Sequence, residues 1–462
     1  MRTLVLVDGE HFPPVVSAAI DTLPCRIPGC VVVGAALLGG TEKLRGGPPA
    51  LGVPLVGGPT PDDALVVGLA RFALELVFDL SDELVVDDRS RLRLACRVLA
   101  AGAAYQGADF RFDPPPRPTI ATKPTVAVIG TGKRTGKTAV CAHLARVLAA
   151  NGRPPVIVAM SRGGPAEPEL VDPSTADLSV AGLLALADAG RHAASDHLED
   201  ALVARLATVG TRRCGGGLAG APFDDTFAAG VRLADARHEE LLLLEGSGRA
   251  IPPVHADVTV CVVPADADPE LVTGYAGAFR LLLSDVVVIT LAEASIDQPL
   301  PDGMGDRVGT ALERSIRALV PGARVITTVF WPVPVAPIDG RRIVFATTAP
   351  PRASDLLRSH LEANHGCTVV GMTHHLAEPS RLRADLEAMG EADILVVELK
   401  AAAIDVAARF GVERGMEVVF CDNRVVSIAG GEPFDELASA VADLAVDRNR
   451  TRRAASVSLT QP

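Results

Sequence analysis

Aromatic side chains are scarce: one Trp, two Tyr and 13 Phe make up 3% of 462 residues, while 48% of the chain is apolar. The core must therefore be built from Ala, Val, Leu and Ile, which favours layered α/β domains with parallel sheets over an all-β sandwich. No window offers the ~18 uninterrupted apolar residues of a membrane span. The opening Met1-Arg2-Thr3, the short run Leu4 to Val7 and Asp8-Gly9-Glu10 lack a signal-peptide apolar region. The expectation is a soluble, cytoplasmic protein with no membrane partner. The eight cysteines at 25, 30, 96, 141, 214, 261, 367 and 421 form no C-x-x-C pair, which suits reduced thiols and argues against a metal cluster. Positive charge is also lacking: the formal net charge of -12 excludes a broad nucleic-acid surface. An anionic ligand must be met by a local basic pocket. Lysine is the rarest cation, with five among 44 basic residues (Lys43, Lys123, Lys133, Lys137 and Lys400), and three of the five lie in or beside one glycine-rich stretch.

The length suggests roughly three domains at ~150 residues each. Residues 1–118 read as an N-terminal α/β domain with strands Thr3–Asp8 and Val31–Leu38. The run Pro114-Pro115-Pro116-Arg117-Pro118 marks a boundary, because it can continue neither a helix nor a central strand. Residues 119–318 follow as a βαβ pattern: strand Thr125–Gly130, a Gly-rich loop, helix Lys137–Asn151 and strand Pro155–Met160. The near-continuous apolar runs Leu241–Leu244, Val258–Val263 and Val286–Thr290 read as strands buried on both faces. Residues 319–446 form a third α/β set with strands beginning at Ile343, Thr368, Ile394 and Glu417 and helices near 353–363, 380–389 and 401–414. Residues 447–462 are polar and basic, and read as a disordered tail. The fold class is α/β: a central P-loop NTPase domain with a parallel sheet, flanked by N- and C-terminal α/β domains.

The stretch V-I-G-T-G-K-R-T-G-K-T-A-V, Val128 to Val140, carries the chemistry. A phosphate cradle needs backbone N–H groups at a helix N-terminus, a lysine for charge and a hydroxyl for magnesium. Gly130, Gly132 and Gly136 permit the close approach, Lys137 reaches the β/γ-phosphates, and Thr138 is the candidate magnesium ligand. Thr131 stands where the usual pattern has its first glycine. Thr135 and Ala139 complete the nucleotide-binding stretch, and Lys133 and Arg134 add charge. This variant resembles the loop of dethiobiotin synthetase and its MinD-like relatives. In that family a strand ends in E-G-A-G, and here Leu241–Leu244 is followed by Glu245-Gly246-Ser247-Gly248. Glu245 is accordingly the second candidate magnesium ligand. ATP and Mg2+ are the expected cofactors.

Two arginine–glycine loops suit a second phosphorylated ligand, since guanidinium binds phosphate in a bidentate fork. They are Ser161-Arg162-Gly163-Gly164-Pro165 and Thr211-Arg212-Arg213-Cys214-Gly215-Gly216-Gly217. Arg249 and Arg134 stand to join them. Lys400, two residues after Glu398 at a strand end, is a further substrate-binding candidate, and Lys43 a lesser one. Adjacent His374 and His375 point oppositely on an extended chain and do not share a metal. Asp8, Glu10 and His11 form either a substrate contact or a turn held by side-chain hydrogen bonds.

Seven strings together resemble the cyclic 2,3-diphosphoglycerate synthetase family: L-V-D-G-E-H-F-P-P from Leu6, G-G-T-E-K-L from Gly39, G-A-D-F-R-F-D-P-P from Gly107, the loop itself, S-R-G-G-P-A-E-P-E from Ser161, R-R-C-G-G-G-L-A-G from Arg212 and V-E-L-K-A-A-A from Val397. They span nearly the whole chain. The resemblance implies an ATP-dependent ligase that closes a phosphoanhydride between the two phosphates of 2,3-diphosphoglycerate. Lys137, Lys133, Arg134 and Glu245 would serve the phosphoryl transfer, and Arg162, Arg212, Arg213, Arg249 and Lys400 the substrate. It also implies a homodimer. Two alternatives stay open: a 2-phosphoglycerate kinase or other small-molecule phosphotransferase with the same ATP site, and a nucleotide switch of the MinD/ParA type. The switch proteins carry a signature lysine at the position of Gly132, whereas this chain has its lysine one residue later.

Overall fold

A computed structural model describes residues 1–40, 44, 47, 49–292, 310–428 and 433–460; Lys43 and most of its loop lie outside the described residues. The chain divides into two compact units. One comprises residues 1–116 with 267–283 and 314–321, the other 117–266 with 284–313 and 322–462.

In the first unit six strands are ordered β3-β2-β1-β4-β5-β6. These are β1 Arg2–Val7, β2 Val31–Leu37, β3 Leu55–Gly57, β4 Leu76–Asp79, β5 Ala104–Gln106 and β6 Arg111–Phe112. All pair in parallel except the short edge strand β6. Leu4 to Val7 is buried throughout, as a strand covered by helices on both faces requires. Asp8, just past β1, accepts hydrogen bonds from the backbone N–H groups of Glu10 (3.0 Å), His11 (3.1 Å) and Asp82 (2.8 Å) and from His11 Nδ1. That is a side-chain-held turn. The helix Asp88–Ala100 starts at Asp87, whose carboxylate caps the Ser90 N–H at 2.8 Å; it packs against Tyr275–Leu282, with Cys96 Sγ 3.2 Å from the Tyr275 carbonyl.

The second unit is built on one continuous sheet of thirteen strands: β7 Thr125–Gly130, β8 Val156–Ser161, β9 Glu169–Val171, β10 Thr208–Cys214, β11 Asp224–Asp225, β12 Leu242–Glu245, β13 Val258–Pro264, β14 Val286–Thr290, β15 Arg324–Pro334, β16 Arg342–Ala346, β17 Thr368–Thr373, β18 Ile394–Glu398 and β19 Glu417–Ser427. The order is β11-β10-β8-β12-β7-β13-β14-β15-β19-β18-β16-β17, with β9 beside β10. The strand β15 joins two halves. Its first residues lie parallel to β14, and Thr328–Pro334 runs antiparallel to β19. The strands of the C-terminal third therefore extend the P-loop sheet.

The helix Lys137–Ala150 begins at Gly136, whose φ of 88° is left-handed and whose Cβ, were there one, would lie 2.3 Å from the Phe330 ring. Its apolar face packs with β7, β12, β13 and the helix Phe434–Thr460 in one core. That last helix corrects the expectation of a disordered tail after residue 446. It continues to Thr460; Asn449 is buried, Arg452 Nε lies 3.1 Å from Asp257 Oδ1, and Arg448 Nη2 lies 2.6 Å from Asp285 Oδ1. Basic residues that looked solvated are paired with carboxylates on the sheet.

After β18 the chain does not continue as a plain α-helix over 401–414. Ala401 has φ 50°, Ala403–Ala408 is a π-helical turn, and α-helical geometry covers Arg409–Glu413. Such turns and strained residues cluster at functional positions. Among the described residues no helix is long and apolar enough to cross a membrane.

Candidate functional site

The C-terminal ends of β7, β8, β12 and β18 open into one cavity of about 300 Å3 within the second unit. Open parallel sheets place ligands at this edge, where strand ends and helix N-termini converge. The loop after β7 supplies Lys133, Arg134, Thr135, Gly136, Lys137 and Thr138 to the lining; Arg162 and Gly163 follow β8, Glu245 ends β12 with Ser247 and Gly248 after it, and Glu398 ends β18 with Lys400 and Ala401 after it. Loop and C-terminal residues thus meet in one pocket.

The loop is shaped for phosphate before any ligand is considered. Gly130 allows no side chain, because a Cβ would come within 2.7 Å of Thr135 Oγ1 and 3.0 Å of Lys137 Cδ. Thr131 is tolerated in place of glycine because its φ is not positive; its N–H donates to the Val262 carbonyl and its own carbonyl accepts from Arg249 Nε at 2.8 Å. Arg134 sits at φ 61° in a conformation that non-glycine residues seldom adopt. Lys137 folds back to donate to the Gly132 carbonyl at 2.9 Å. Burial pulls its pKa down, partly countered by the nearby Glu245 and Asp196 carboxylates.

Thr138 Oγ1 donates to Glu245 Oε1 at 2.8 Å, and Glu245 Oε2 is buried without a partner. Burial and the neighbouring Asp196 raise Glu245 to about 7. Magnesium fits this pair. A hydroxyl and a carboxylate with one unused oxygen are hard oxygen donors beside a phosphate cradle, and among the described residues no group of three or more His, Cys, Asp or Glu side chains stands ready to hold a metal ion alone. Thr138 and Glu245 would hold the ion jointly with the nucleotide phosphates.

The helix Asp196–Ala204 contributes a feature that the sequence reading missed. Asp196, Glu199 and Asp200 lie at i, i+3 and i+4, hence on one face, and all three are buried or nearly so. Asp196 and Glu199 line the cavity. Burial raises all three carboxyls, Glu199 to about 8. Asp200 lies against Glu245, and neither Asp200 oxygen meets a donor. Lys400 Nζ is 3.6 Å from Glu199 Oε1. Burial opposes its charge, but Glu199 and Glu398 outweigh that and hold its pKa above the ordinary value. Glu398 is itself fixed by Thr347 Oγ1 (2.7 Å), Thr348 N (3.0 Å), Thr348 Oγ1 (2.8 Å) and Asn423 Nδ2 (3.1 Å).

The arginines expected to bind substrate divide into two groups. Arg162 lines the cavity, and its Nη2 would lie 2.7 Å from a Cβ on Gly248. Arg213 is not part of the lining: it is buried and donates to the carbonyls of Gly215 (2.6 Å) and Ser247 (2.8 Å), so it holds the loop that carries Gly248. Arg212 alternates to the opposite, exposed face of β10, and Arg249 bonds the Thr131 carbonyl instead of lining the pocket. His192, which no motif flagged, does line it, and a Cβ on Gly163 would meet its ring at 2.4 Å. His374 and His375 have separate partners, Ala349 and Ser354 for one and Asp385 for the other.

A parallel sheet with a glycine-rich loop, lysine and threonine at a helix start, and a carboxylate on the neighbouring strand defines a P-loop nucleotide-binding protein of the α/β class. Family models agree over most of residues 2–424: the N-terminal domain of cyclic 2,3-diphosphoglycerate synthetase matches residues 2–113, its P-loop domain 125–329 and its C-terminal domain 334–424. Proteins named cyclic 2,3-diphosphoglycerate synthetase from Rubrobacter xylanophilus and Methanothermus fervidus are 46% and 41% identical, covering 92% and 98% of this chain and 95% and 99% of their own lengths. A third, from Methanothermobacter thermautotrophicus, is 41% identical over 95% of this chain and 94% of its own length. The chain belongs to the cyclic 2,3-diphosphoglycerate synthetase family.

Proposed function

We propose that this protein converts 2,3-diphosphoglycerate and ATP into cyclic 2,3-diphosphoglycerate, ADP and phosphate. The observation that carries the reading is the single cavity in which the P-loop faces Arg162 and Lys400. The acceptor bears a carboxylate and two phosphates, about five negative charges at neutral pH, so one phosphate approaches another only where fixed cations neutralise both.

An oxygen of one substrate phosphate attacks the γ-phosphorus of ATP in line, and the bond to ADP breaks. An oxygen of the neighbouring phosphate then attacks the phosphorus of the activated group, and inorganic phosphate departs as the ring anhydride closes. The second step is intramolecular and gains from high effective concentration. No protein nucleophile is needed. Lys137 holds the β/γ-phosphates, Lys133 and Arg134 meet the charge on the transferring group, and Arg162 and Lys400 hold the acceptor. Arg213 keeps the Gly248 loop in place, and Thr138 and Glu245 would hold magnesium. When bound, that ion neutralises charge on the nucleotide phosphates. The apolar wall of Leu291, Phe330, Pro350 and Leu357 suits the nucleotide base. A homodimer and a cytoplasmic location belong to the same proposal; light scattering on the purified protein tests the first.

Phosphorus NMR with magnesium-ATP and 2,3-diphosphoglycerate, beside a Lys137→Ala variant, tests the reaction. Expected are two coupled phosphoanhydride resonances with equimolar ADP and phosphate, absent in the variant. Consumption of ATP only with 2-phosphoglycerate, giving a phosphomonoester, would make the protein a kinase instead.

A further inference from the structure

The lining of the cavity is rich in carboxyl groups, which is unexpected in a site for polyanions. Asp196, Glu199, Glu245 and Glu398 all line it, and each repels a phosphorylated acceptor whenever it carries its charge. Among the described residues, Lys400 is the one lining lysine or arginine that the C-terminal half of the sheet contributes. It emerges from β18 two residues after Glu398, and its ammonium lies 3.6 Å from Glu199 Oε1. Glu199 comes from a different part of the chain, the helix Asp196–Ala204, so the pair spans the join between the P-loop half of the sheet and its C-terminal half.

Three observations show that the Lys400 position is built. Glu398 is locked by four hydrogen bonds. The backbone turns sharply straight after Lys400, with Ala401 at φ 50° and then the π-helical turn, so strain is spent on aiming this residue. The side chain is held by Glu199 and still lines the cavity. A lysine stem is otherwise flexible and loses rotamer freedom whenever its ammonium is fixed. An ammonium with three donors can keep Glu199 below and meet an anionic oxygen above.

We propose that Lys400 grips an anionic group of the phosphorylated acceptor and that Glu199 is the positioning residue that holds the ammonium in place for it. Glu199 does not touch the acceptor. It orients Lys400 beforehand, so that the acceptor meets a cation already fixed. The assignment rests on the reading of the cavity as a diphosphoglycerate site, and the test separates the two.

Binding of 2,3-diphosphoglycerate is measured by titration calorimetry with magnesium and a non-hydrolysable ATP analogue present, using wild type, Lys400→Gln, Lys400→Arg, Glu199→Gln and the double variant Glu199→Gln/Lys400→Gln. Lys400→Gln is expected to raise the acceptor Kd at least tenfold, while the Kd of the ATP analogue stays within twofold. Lys400→Arg should recover part of the loss. Glu199→Gln should raise the acceptor Kd several-fold, and in the double variant the acceptor Kd should be no more than twofold above that of Lys400→Gln alone, as one residue acting through another requires. A thermal melt confirms that each variant is folded, and the arginine variant, which keeps the charge, carries the test if the glutamine variant is not. Effects that multiply, an acceptor Kd that tightens in Glu199→Gln, or a loss that falls on the ATP analogue would each overturn the assignment. Wild type that binds the analogue but not 2,3-diphosphoglycerate would instead overturn the functional reading beneath it.

Discussion

Gly248 stands at φ 60°, and a methyl group there would lie 2.7 Å from Arg162 Nη2 and 3.3 Å from Arg213 Nη2. Arg213 is anchored to two carbonyls and cannot yield easily, whereas Arg162 can swing away. Gly248→Ala is therefore expected to raise the acceptor KM several-fold through a displaced Arg162, with ATP KM nearly unchanged. Its left-handed backbone adds about 1–2 kcal/mol of destabilisation, read as a lower Tm. An unchanged acceptor KM would remove Arg162 from the substrate site. At this scale the sequence showed what a linear motif can carry. That Lys137, Thr138 and Glu245 converge on one cavity was legible because cradle, hydroxyl and strand-end carboxylate come in a fixed order. Asp196, Glu199 and Asp200 were not, since three acids within five residues read as a solvated helix face. Only Lys400 and Glu245, at least 45 residues away in the chain, show that the face is buried. Arg212 and Arg213 misled for a related reason: strand alternation sends one to solvent and turns the other inward to bond backbone carbonyls, so a paired guanidinium grip does not form.

The helix Asp196–Ala204 carries a pH dependence that follows from its buried carboxyls. Glu199 is raised to about 8 by burial, well above an unfolded carboxylate near 4.5. The folded protein therefore binds this proton more tightly than the unfolded chain does. The stability gained is fully present below about pH 4.5 and is lost as pH rises to about 8, at roughly 1.4 kcal/mol per pH unit for such a group. In protein free of metal and nucleotide, the midpoint of denaturant unfolding should fall between pH 5 and pH 8, and Glu199→Gln should flatten that fall. A decline of the same steepness in the variant would show that Glu199 keeps an ordinary affinity for its proton. The C-terminal helix gives the opposite sign. Asp257 is lowered to about 2, because hydrogen bonds from His255, Arg452 and Thr125 outweigh its burial. Truncation after Asp447 removes Arg452, which pairs with the buried Asp257 carboxylate, and Arg448, which bonds the Asp257 carbonyl and the Asp285 carboxylate. We expect a Tm lower by several degrees at neutral pH, and a smaller loss of stability on acidification between about pH 4 and pH 2 than in the full chain, because part of what the depressed Asp257 contributes is already gone. The helix escaped the sequence reading because its arginines face a sheet whose acidic residues, Asp257 and Asp285, lie more than 160 positions away.

At the scale of the molecule, near-continuous apolar runs made the strands of the P-loop sheet legible, while connectivity across long loops was not. Nothing local in β15 says that its second half turns to an antiparallel partner near the end of the chain, or that residues 267–283 leave the P-loop segment to complete the first unit. That excursion has an energetic consequence. Phe279 and Leu281 are fully buried there, and the turn and helix that carry them cover the helix Asp88–Ala100. Burying one Phe and one Leu contributes on the order of 4 kcal/mol, a large share of the stability of a domain this small. Residues 1–116 expressed alone are thus expected to bind a hydrophobic dye and to unfold without a sharp transition, even though a family model ends the N-terminal domain at residue 113. Supplying residues 267–283 and 314–321 through flexible linkers should restore a cooperative melt and abolish dye binding. A cooperative melt of the short fragment without dye binding would show that the first unit closes its core without the excursion, and that 267–283 serves some other end.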